Sequence, residues 1–465
     1  MKYISTRNNA PILGFSDTVM TGLARDGGLY LPEKYPHFAP SSLKALRGKS
    51  YATIAKTILW PFVDAEIERD AFDTMVDDAY RTFRHPAVCP LVQTNTNEFI
   101  LELSHGPTLA FKDVAMQLLA RLMDYILIRQ NKRATIIGAT SGDTGGAAIG
   151  AFAGRECCDI FILFPKGHVS PVQQRQMTGN PSANVYALAI EGNFDDCQAL
   201  VKAMFNDHAF RDRTSLSGVN SINWARIMAQ IVYYFTAAIS LGAPDRAVSF
   251  SVPTGNFGDI FAGFVASRMG LPIARLVIAT NDNDILVRTL SSGSYQIRSL
   301  KHTTSPSMDI QVSSNFERLL FEASGHDALF IRNAMESLKQ SGEFHIETAC
   351  LEKIRTLFSA GCSNELETAN MINTLYQESN YLADPHTAIA VKVAREHMDE
   401  NIPMIVLSTA HPAKFPDAVE DACGVIPELP IWLDGLMDKA ERFKTLPNDE
   451  KAVKSYIVEK SRACR

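Results

Sequence analysis

The stretch that decides the fold is residues 104–113, which read Ser-His-Gly-Pro-Thr-Leu-Ala-Phe-Lys-Asp. An alternating, strand-like run precedes it at 98–103, and the apolar spacing predicts a helix from Val114 to Arg129. Lys112 therefore lies between a Gly-Pro turn and a helix, next to Phe111. Partial burial would lower the pKa of this lysine and free its amine to form a Schiff base. A lone lysine at a helix start is usually solvated, so the rest of the chain decides between the two interpretations.

Short apolar strands alternate with helix-length segments over most of the chain. The expected strands are 134–138, 159–164, 185–190, 248–252, 276–279 and 404–407. Helical patterns lie between them, for example from Trp224 to Leu241 and from Ile260 to Met269. Apolar strands that alternate with helices predict an α/β fold of parallel sheets flanked by helices.

The length of 465 residues, 46% of them hydrophobic, allows two or three domains. We expect an N-terminal accessory domain at 1–90, where helix outweighs strand. A small mobile domain is expected at 131–235, and a large domain from 91–130 and 236–465 together. Within the large domain, residues of about 310–380 are interpreted as a polar, helical insertion.

Composition excludes several classes of protein. The net charge of -6 comes from mixed signs, with no basic stripe for nucleic acid. No apolar run is long enough to span a bilayer, and the first residues are too polar for a signal peptide. The eight cysteines are scattered without a CxxC pair, which favours reduced thiols over a disulfide or metal framework. We therefore expect a cytoplasmic protein that binds neither membrane nor nucleic acid nor metal.

The first turn of chemical interest follows the strand at 134–138 and is rich in glycine and hydroxyl groups. A small-residue helix is expected after it, at 147–153. Exposed N–H groups at a helix start, with nearby hydroxyls, can bind a carboxylate or phosphate. An ordinary helix cap explains the same pattern equally well. The turn contains Thr140, Ser141, Gly142, Asp143 and Thr144.

The second turn follows the strand at 248–252 and reads Pro-Thr-Gly-Asn-Phe-Gly-Asp at 253–259. Gly255 and Gly258 would let the backbone curl so that successive N–H groups converge on a phosphate. The sequence is neither a Walker motif nor GxGxxG. Taken alone, a plain turn between strand and helix remains the simpler interpretation.

Two further stretches carry polar side chains at the ends of elements. Thr409 follows the strand at 404–407, where a hydroxyl can hydrogen-bond a neutral ring nitrogen. His411 and Lys414 stand nearby but are set aside as structural or solvated. Residues 220–226 open a helix with Asn220, Ser221 and Arg226. An arginine with amide and hydroxyl donors suits a phosphate dianion, although a capped helix with a surface arginine explains it too.

Together these motifs resemble the threonine synthase family, in particular its longer bacterial and fungal branch. The N-terminal run 6–33, the lysine loop 105–113 and the four stretches above follow the order of that family over nearly the whole chain. The resemblance implies a fold of type II, the tryptophan-synthase-β-like fold of enzymes that depend on pyridoxal 5′-phosphate (PLP).

The resemblance also implies a role for each residue of these motifs. Lys112, beside Phe111, would bind the cofactor as a Schiff base. The turn Gly255, Asn256, Phe257, Gly258 and Asp259 would hold the cofactor phosphate, and Thr409 would meet the pyridine nitrogen. The substrate would be bound by Thr140, Ser141, Gly142, Thr144, Asn220, Ser221 and Arg226.

Asp143 departs from the pattern of the shorter family members, which carry Asn at this position. The resemblance places it near the 3′-oxygen of the cofactor. A carboxylate there would need a proton or a rotated geometry.

The implied activity is that of a carbon–oxygen lyase acting on phosphates. It would convert O-phospho-L-homoserine and water to L-threonine and phosphate, the last step of threonine biosynthesis. The enzyme is expected to be a monomer whose residues 131–235 close over the substrate. Two alternatives remain: a serine/threonine dehydratase, which needs no second phosphate site, and a catalytically silent binding protein, which would not need Lys112.

Overall fold

The computed structural model describes residues 1–140 and 142–464. The strands in these ranges are β1 (Tyr3–Ser5), β2 (Tyr30–Pro32), β3 (Leu91–Asn95), β4 (Glu98–Glu102), β5 (Ala134–Ala139), β6 (Cys158–Pro165), β7 (Val185–Glu191), β8 (Leu216–Gly218), β9 (Val248–Pro253), β10 (Ile273–Thr280), β11 (Ser294–Gln296), β12 (Glu343–His345), β13 (Phe358–Cys362), β14 (Met404–Ser408) and β15 (Phe443–Pro447).

The α-helices in the same ranges are α1 (Phe15–Thr21), α2 (Pro40–Ala45), α3 (Tyr51–Val63), α4 (Arg69–Tyr80), α5 (Lys112–Gln130), α6 (Asp143–Phe152), α7 (Pro171–Thr178), α8 (Phe194–Asn206), α9 (His208–Thr214), α10 (Trp224–Ser240), α11 (Gly258–Arg268), α12 (Ile285–Ser292), α13 (Phe316–Ala323), α14 (Ala328–Ser341), α15 (Thr348–Arg355), α16 (Glu365–Ser379), α17 (Pro385–Glu396), α18 (Pro416–Cys423) and α19 (Glu450–Lys460). Short 3-10 turns occur at Pro306–Met308, Pro412–Lys414, Ile431–Leu433 and Arg462–Cys464.

A six-stranded sheet forms the larger of two layers, in the order β13-β10-β9-β14-β4-β3. All neighbours in it pair in parallel except β3, which pairs with β4 as an antiparallel edge. Every residue of β9 and of β14 is buried. Strands that are buried on both faces need helices on both sides, which is the parallel arrangement predicted from the sequence.

A five-stranded, all-parallel sheet forms the second layer, in the order β15-β7-β6-β5-β8. Its central strand β6 is buried over its whole length. Four of its strands come from residues 131–235, but β15 comes from the C-terminal part of the chain and pairs with β7. Residues 443–447 thus share a sheet with the range predicted as the small domain, although the sequence analysis grouped them with the large one.

The N-terminal residues form a short β1–β2 pair and four helices. Tyr3 and Phe62 of this region pack against Trp224 at the start of α10, with ring centroids 6.1 and 5.8 Å apart. Residues 310–380 are mostly helical, as predicted, but they also contain β12 and β13. Because β13 is an edge strand of the six-stranded sheet, that part of the segment belongs to the sheet itself.

The predicted strands and helices occur close to their expected positions. The helix predicted at 147–153 begins four residues earlier, at Asp143, so Asp143 and Thr144 lie in its first turn. The edge strand β3 was not predicted, since most of its residues are polar and none is buried. Within the described ranges, no helix is both long and apolar enough to cross a bilayer.

Candidate active site

A cavity of about 300 Å³ lies where the carboxyl ends of strands from both sheets meet. Strands β5, β8, β9 and β14 all lead into it, as expected for ligand sites in parallel sheets. Twelve of the predicted residues line it: Phe111, Lys112, Thr144, Asn220, Ser221, Arg226, Gly255, Asn256, Phe257, Gly258, Asp259 and Thr409. A larger groove, of about 830 Å³, lies between residues 46–54 and 236–242 and contains none of these residues.

Lys112 is the first residue of α5, and the loop before it is tied to the end of β14. The backbone N–H of Phe111 donates to the carbonyl of Thr409 at 2.8 Å. The N–H of His411 donates back to the carbonyl of Leu109 at 3.0 Å. These bonds tie the two segments together, and both Lys112 and Thr409 line the cavity. The predicted junction lysine is buried, with 7% of its surface exposed.

The side chain of Asp113 fixes the shape of this loop. Its carboxylate accepts hydrogen bonds from the backbone N–H and the hydroxyl of Thr108, both at 2.7 Å. A Cβ at Gly106 would lie 2.5 Å from the Asp113 side chain, so only glycine allows this close turn. Burial raises the pKa of Asp113 to about 6.

The pKa of the Lys112 amine is lowered, first by burial and then by the nearby cations Lys414 and Arg226. Asp143 acts in the opposite direction, since its Oδ2 lies 3.5 Å from Lys112 Nζ. The lysine amine also lies over the ring of Phe111, 4.8 Å from the centroid. A lysine with a lowered pKa has more neutral amine available as a nucleophile or base.

Asp143 lies between two lysines. Its Oδ1 accepts a charge-assisted contact of 2.6 Å from Lys414 Nζ and a hydrogen bond of 2.8 Å from Gln173 Nε2. Burial raises the pKa of Asp143, but Lys414 and Lys112 outweigh it and hold that pKa well below its usual range. The carboxylate is therefore ionised and turned towards two amines, those of Lys112 and Lys414.

Lys414, which the sequence analysis set aside as structural or solvated, is not solvated, because its side chain is completely buried. Besides the contact with Asp143, its amine donates to the carbonyl of Thr108 at 2.7 Å. Its position just beyond β14 was a usable signal, since the carboxyl ends of parallel strands share one edge of a sheet. His411 keeps a structural role, because its Nδ1 accepts the N–H of Ala413 at 3.2 Å.

The glycine turn after β9 has the geometry of an anion nest. Within residues 1–140 and 142–464, the backbone N–H groups of Gly255, Asn256 and Phe257 meet no protein acceptor. A Cβ on Gly255 would lie 2.6 Å from the carbonyl oxygen of Ser307, so the turn has no room for a side chain there. Phe257 adopts a left-handed conformation with φ of 62°, which turns the chain into α11.

Asp259 lies at the start of α11 with its carboxylate against two tyrosines. Oδ1 accepts the hydroxyl of Tyr234 at 3.0 Å and a shorter bond from Tyr233. Burial raises the pKa of Asp259 to about 6. In the part of the chain that the structure describes, Oδ2 has no hydrogen-bond partner.

Arg226, in the first turn of α10, supplies the cavity with a buried cation. Its Nη1 donates to the carbonyl of Val219 at 3.3 Å, while Nε is buried without a partner among the described residues. Burial lowers the pKa of Arg226 to about 10. Asn220 and Ser221 line the same wall. A buried guanidinium that is only partly hydrogen-bonded favours an anionic ligand.

The turn before α6 is organised by Thr140. Its buried hydroxyl oxygen accepts the N–H groups of Gly142 and Gly145, both at 3.0 Å. Gly142 has φ of 153°, and a Cβ there would overlap the Gln173 side chain. Ser141 lies outside the described residues.

Sequence reasoning missed several residues that complete the site. His386 lines the cavity, and its Nδ1 lies 2.7 Å from the buried Asp384 carboxylate. Gln173 reaches Asp143 from helix α7, and no local motif marks either residue. Other residues that line the cavity are Ala139, Phe194, Gln198, Gln230, Pro253, Thr254, Ile260, Ser307 and Met308. No group of three or more potential ligands able to hold a metal occurs among residues 1–140 and 142–464.

These features suit a phosphorylated aldehyde cofactor. A lysine with a lowered pKa can condense with the aldehyde, and the nest after β9 can hold a phosphate. The close packing of that nest requires glycine at position 255, because a side chain there would have no room. The fold and the site define a PLP-dependent enzyme of fold type II. The prediction of that fold is confirmed.

Comparison with known proteins narrows the class to one family. Family models match residues 2–80 ("Threonine synthase N terminus"), 89–350 ("Pyridoxal-phosphate dependent enzyme") and 387–457 ("Threonine synthase, C-terminal"). The threonine synthase of Pseudomonas aeruginosa is 50% identical over 459 residues, which cover 98% of each chain. The chain belongs to the threonine synthase family.

Solved structures agree with this assignment. PLP-bound threonine synthase from Brucella melitensis superposes with a TM-score of 0.98 at 66% identity, covering 99% of this chain and 100% of the other. The yeast threonine synthase superposes with a TM-score of 0.94 at 40% identity, covering 99% and 98%. The N-terminal region is thus a shared part of these enzymes.

Proposed function

We propose that this chain converts O-phospho-L-homoserine and water to L-threonine and inorganic phosphate. The observation that carries the proposal is Arg226. Its guanidinium is buried and incompletely paired in the same cavity that holds Lys112 and the glycine turn. If the glycine turn holds the cofactor phosphate, the guanidinium of Arg226 remains available for a second phosphate. The substrate supplies that phosphate. A dehydratase acting on serine or threonine has no use for it.

Lys112, the nest at Gly255 to Gly258 and Thr409 would hold the cofactor. Bound PLP supplies an electron sink for the pair of electrons released at the substrate α-carbon. The neutral hydroxyl of Thr409 would accept or donate a hydrogen bond at the ring nitrogen without adding charge. Helix α11 begins at Gly258, so its positive N-terminal end would stabilise a phosphate held by this turn.

Lys112 would move the protons of the reaction. Its neutral amine takes the proton from the substrate α-carbon, since burial and two cations keep its pKa low. Asp143, 3.5 Å away, then holds the protonated amine in place. The Lys414 ion pair keeps Asp143 charged throughout, so the carboxylate remains an acceptor for that ammonium.

Arg226, Asn220 and Ser221 would bind the γ-phosphate of the substrate and stabilise it as it leaves. The charge on the leaving group grows as the carbon–oxygen bond breaks, so a fixed guanidinium in a dry cavity binds it more strongly then. Water must stay out until the phosphate has left, after which it adds at the β-carbon. Closure of residues 131–235 would exclude it during the earlier steps.

We infer further that the enzyme acts as a monomer in the cytoplasm. The eight cysteines are all free thiols, which suits a reducing compartment. Sedimentation of the purified protein checks the monomer.

The test of the proposed function is to incubate the holoenzyme with O-phospho-L-homoserine and measure both products. We expect phosphate and threonine in equal amounts. Release of 2-oxobutyrate and ammonia in place of threonine, or no phosphate at all, would contradict the proposal.

A further inference from the structure

Arg318, in α13, is completely buried, but every acceptor of its hydrogen bonds is neutral. It donates to the carbonyl of Tyr30 at 3.1 and 2.6 Å and to the carbonyl of Ile222 at 2.7 Å. A further, short bond goes to Oδ1 of Asn315. The adjacent Glu317 carboxylate is turned towards Arg7 instead. Burying a guanidinium without a paired carboxylate costs desolvation free energy, which suggests that Arg318 has a role beyond stabilising the fold.

Asn315 connects Arg318 to two segments of the site through hydrogen bonds. Its Nδ2 donates to the carbonyl of Asn256 at 2.8 Å and to the carbonyl of Ser221 at 3.2 Å. Its backbone N–H also donates to the carbonyl of Asn256, at 3.1 Å. Because Arg318 can only donate, the oxygen of the Asn315 amide must face it and the nitrogen must face the carbonyls. One fully buried side chain thus bridges the glycine turn at 253–259 and the segment 220–226, here called the Arg226 arm.

Each bridged carbonyl belongs to a peptide unit whose N–H stands in one of the turns. The Asn256 carbonyl shares its peptide with the N–H of Phe257, and the Ser221 carbonyl with the N–H of Ile222. Neither N–H meets a protein acceptor in the described part of the chain. A hydrogen bond accepted at a carbonyl polarises the N–H of the same peptide and strengthens it as a donor. Through Asn315, the positive charge of Arg318 therefore strengthens the N–H donors of Phe257 and Ile222.

We propose that Arg318, through Asn315, is a positioning residue that couples the two phosphate-binding turns, so that an anion in one preorganises the other. This inference rests on the proposed function. The hydrogen bonds from Arg318 to the carbonyl of Tyr30 extend the coupling to the N-terminal domain. An anion bound at the Arg226 arm orders Ser221, Asn315 and, through them, the turn that retains the cofactor.

The test measures how fast the cofactor leaves the holoenzyme after dilution, followed by its absorbance, with and without inorganic phosphate. In the holoenzyme the glycine turn is already filled, so added phosphate reports on the Arg226 arm alone. For wild type we expect phosphate to slow release by about 5–20-fold, the range of a typical coupling between sites. A release rate indifferent to phosphate would overturn the proposal.

The decisive variant is Asn315→Asp. It keeps an oxygen for Arg318, with which it forms an ion pair, but it loses the side-chain Nδ2 donor to both carbonyls, and only the backbone N–H bond to the Asn256 carbonyl remains. We expect a melting temperature at or above that of wild type, faster cofactor release, and loss of the phosphate effect. If phosphate still slows cofactor release in Asn315→Asp, the coupling is overturned as well. Bound phosphate that simply blocks the path of the cofactor out of the cavity would then explain the slower release.

Asn283→Ala is the matched control, because Asn283 is equally buried and bonds to Lys301 and Asp309 instead. It should retain the phosphate effect, and its loss there would count against a specific relay. Turnover of O-phospho-L-homoserine by wild type is measured in parallel. Failure of that turnover would refute the proposed function, while the cofactor-release data would still judge the coupling separately.

Discussion

The glycine turn at 253–259 and the Arg226 arm at 220–226 lie on one cavity, but they present different chemistry to an anion. The turn offers backbone N–H groups from a close-packed loop in which a side chain at Gly255 would collide with the carbonyl oxygen of Ser307. The arm offers a buried guanidinium whose Nε has no partner among residues 1–140 and 142–464. In our account, the first holds a phosphate that stays and the second a phosphate that leaves.

The difference follows from what each phosphate must do. A resident phosphate needs fixed geometry, which neutral backbone donors supply without a charge that would also attract the product. A departing phosphate gains charge in the transition state, so a cation that binds it increasingly well speeds its departure. The predictions below break one region while leaving the other intact.

Removal of Lys112 should have the largest effect. Lys112→Ala removes the amine that binds the cofactor and moves the protons, and turnover should be abolished. Both anion sites remain, so the cofactor should still bind weakly and inorganic phosphate should bind normally. The measurement is turnover together with peptide mapping after borohydride reduction, which in wild type should find the cofactor on Lys112. Recovery of the cofactor on Lys414 would refute the assignment, and the exposed Lys339→Ala serves as control.

Gly255→Ala should damage the turn alone. The new Cβ would lie 2.6 Å from the Ser307 carbonyl oxygen, so backbone has to move. Overpacking of this kind costs about 1–3 kcal/mol, which corresponds to a roughly 5–150-fold weaker cofactor affinity. Gly258→Ala is the matched control, because its nearest contact would be 3.4 Å and tolerable. Equal losses in the two variants, measured by titration of the apoenzyme, would contradict the role of the close contact.

Lys414→Met should change the pH dependence of cofactor attachment. Burial and the cations Lys414 and Arg226 lower the pKa of Lys112, so removing one of them raises that pKa. Less neutral amine is then present near pH 7, and attachment should require a higher pH. Asp143 also loses its 2.6 Å partner, and its own pKa should rise. A pH profile of cofactor attachment identical to that of wild type would contradict this prediction. The control is Lys392→Met, which removes a lysine that pairs with Glu396 outside the site.

Asp259→Asn should have the smallest effect on function and a defined effect on stability. Burial raises the folded-state pKa of Asp259 to about 6, from an ordinary 3.8. The wild-type carboxyl favours folding below about pH 4, and this contribution is lost as the pH rises to about 6. Relative to wild type, the variant should gain about 3 kcal/mol in its free energy of unfolding between those limits. Denaturation of the apoenzyme at both pH values measures it, with the exposed Asp70→Asn as control.

Patterns local in sequence predicted most of the fold and the parts of the site that lie on turns. Strands β9 and β14 are mostly apolar, and the turn at Gly255 follows directly from its glycines. Lys112 needed only its loop and the following helix.

Contacts between distant parts of the chain could not be read in this way. The pairing of β15 with β7 joins segments far apart in sequence, and nothing local in Phe443–Pro447 names its partner. Lys414 has the sequence context of a solvated turn, and its burial depends on Asp143 and Thr108. Arg318 lies in a segment that reads as a polar insertion, although its side chain is fully buried.

The central claim is that Arg226 binds the phosphate of the substrate and not that of the cofactor. The direct test is Arg226→Ala, assayed for kcat/KM with O-phospho-L-homoserine, for slow dehydration of L-threonine, and for cofactor affinity. We predict that kcat/KM falls by about 10²–10³, corresponding to roughly 3–4 kcal/mol of transition-state stabilisation. Dehydration and cofactor affinity should stay near wild type, and Arg226→Lys should restore part of the loss. Equal losses with both substrates, or loss of the cofactor, would show that Arg226 is structural and would contradict the account.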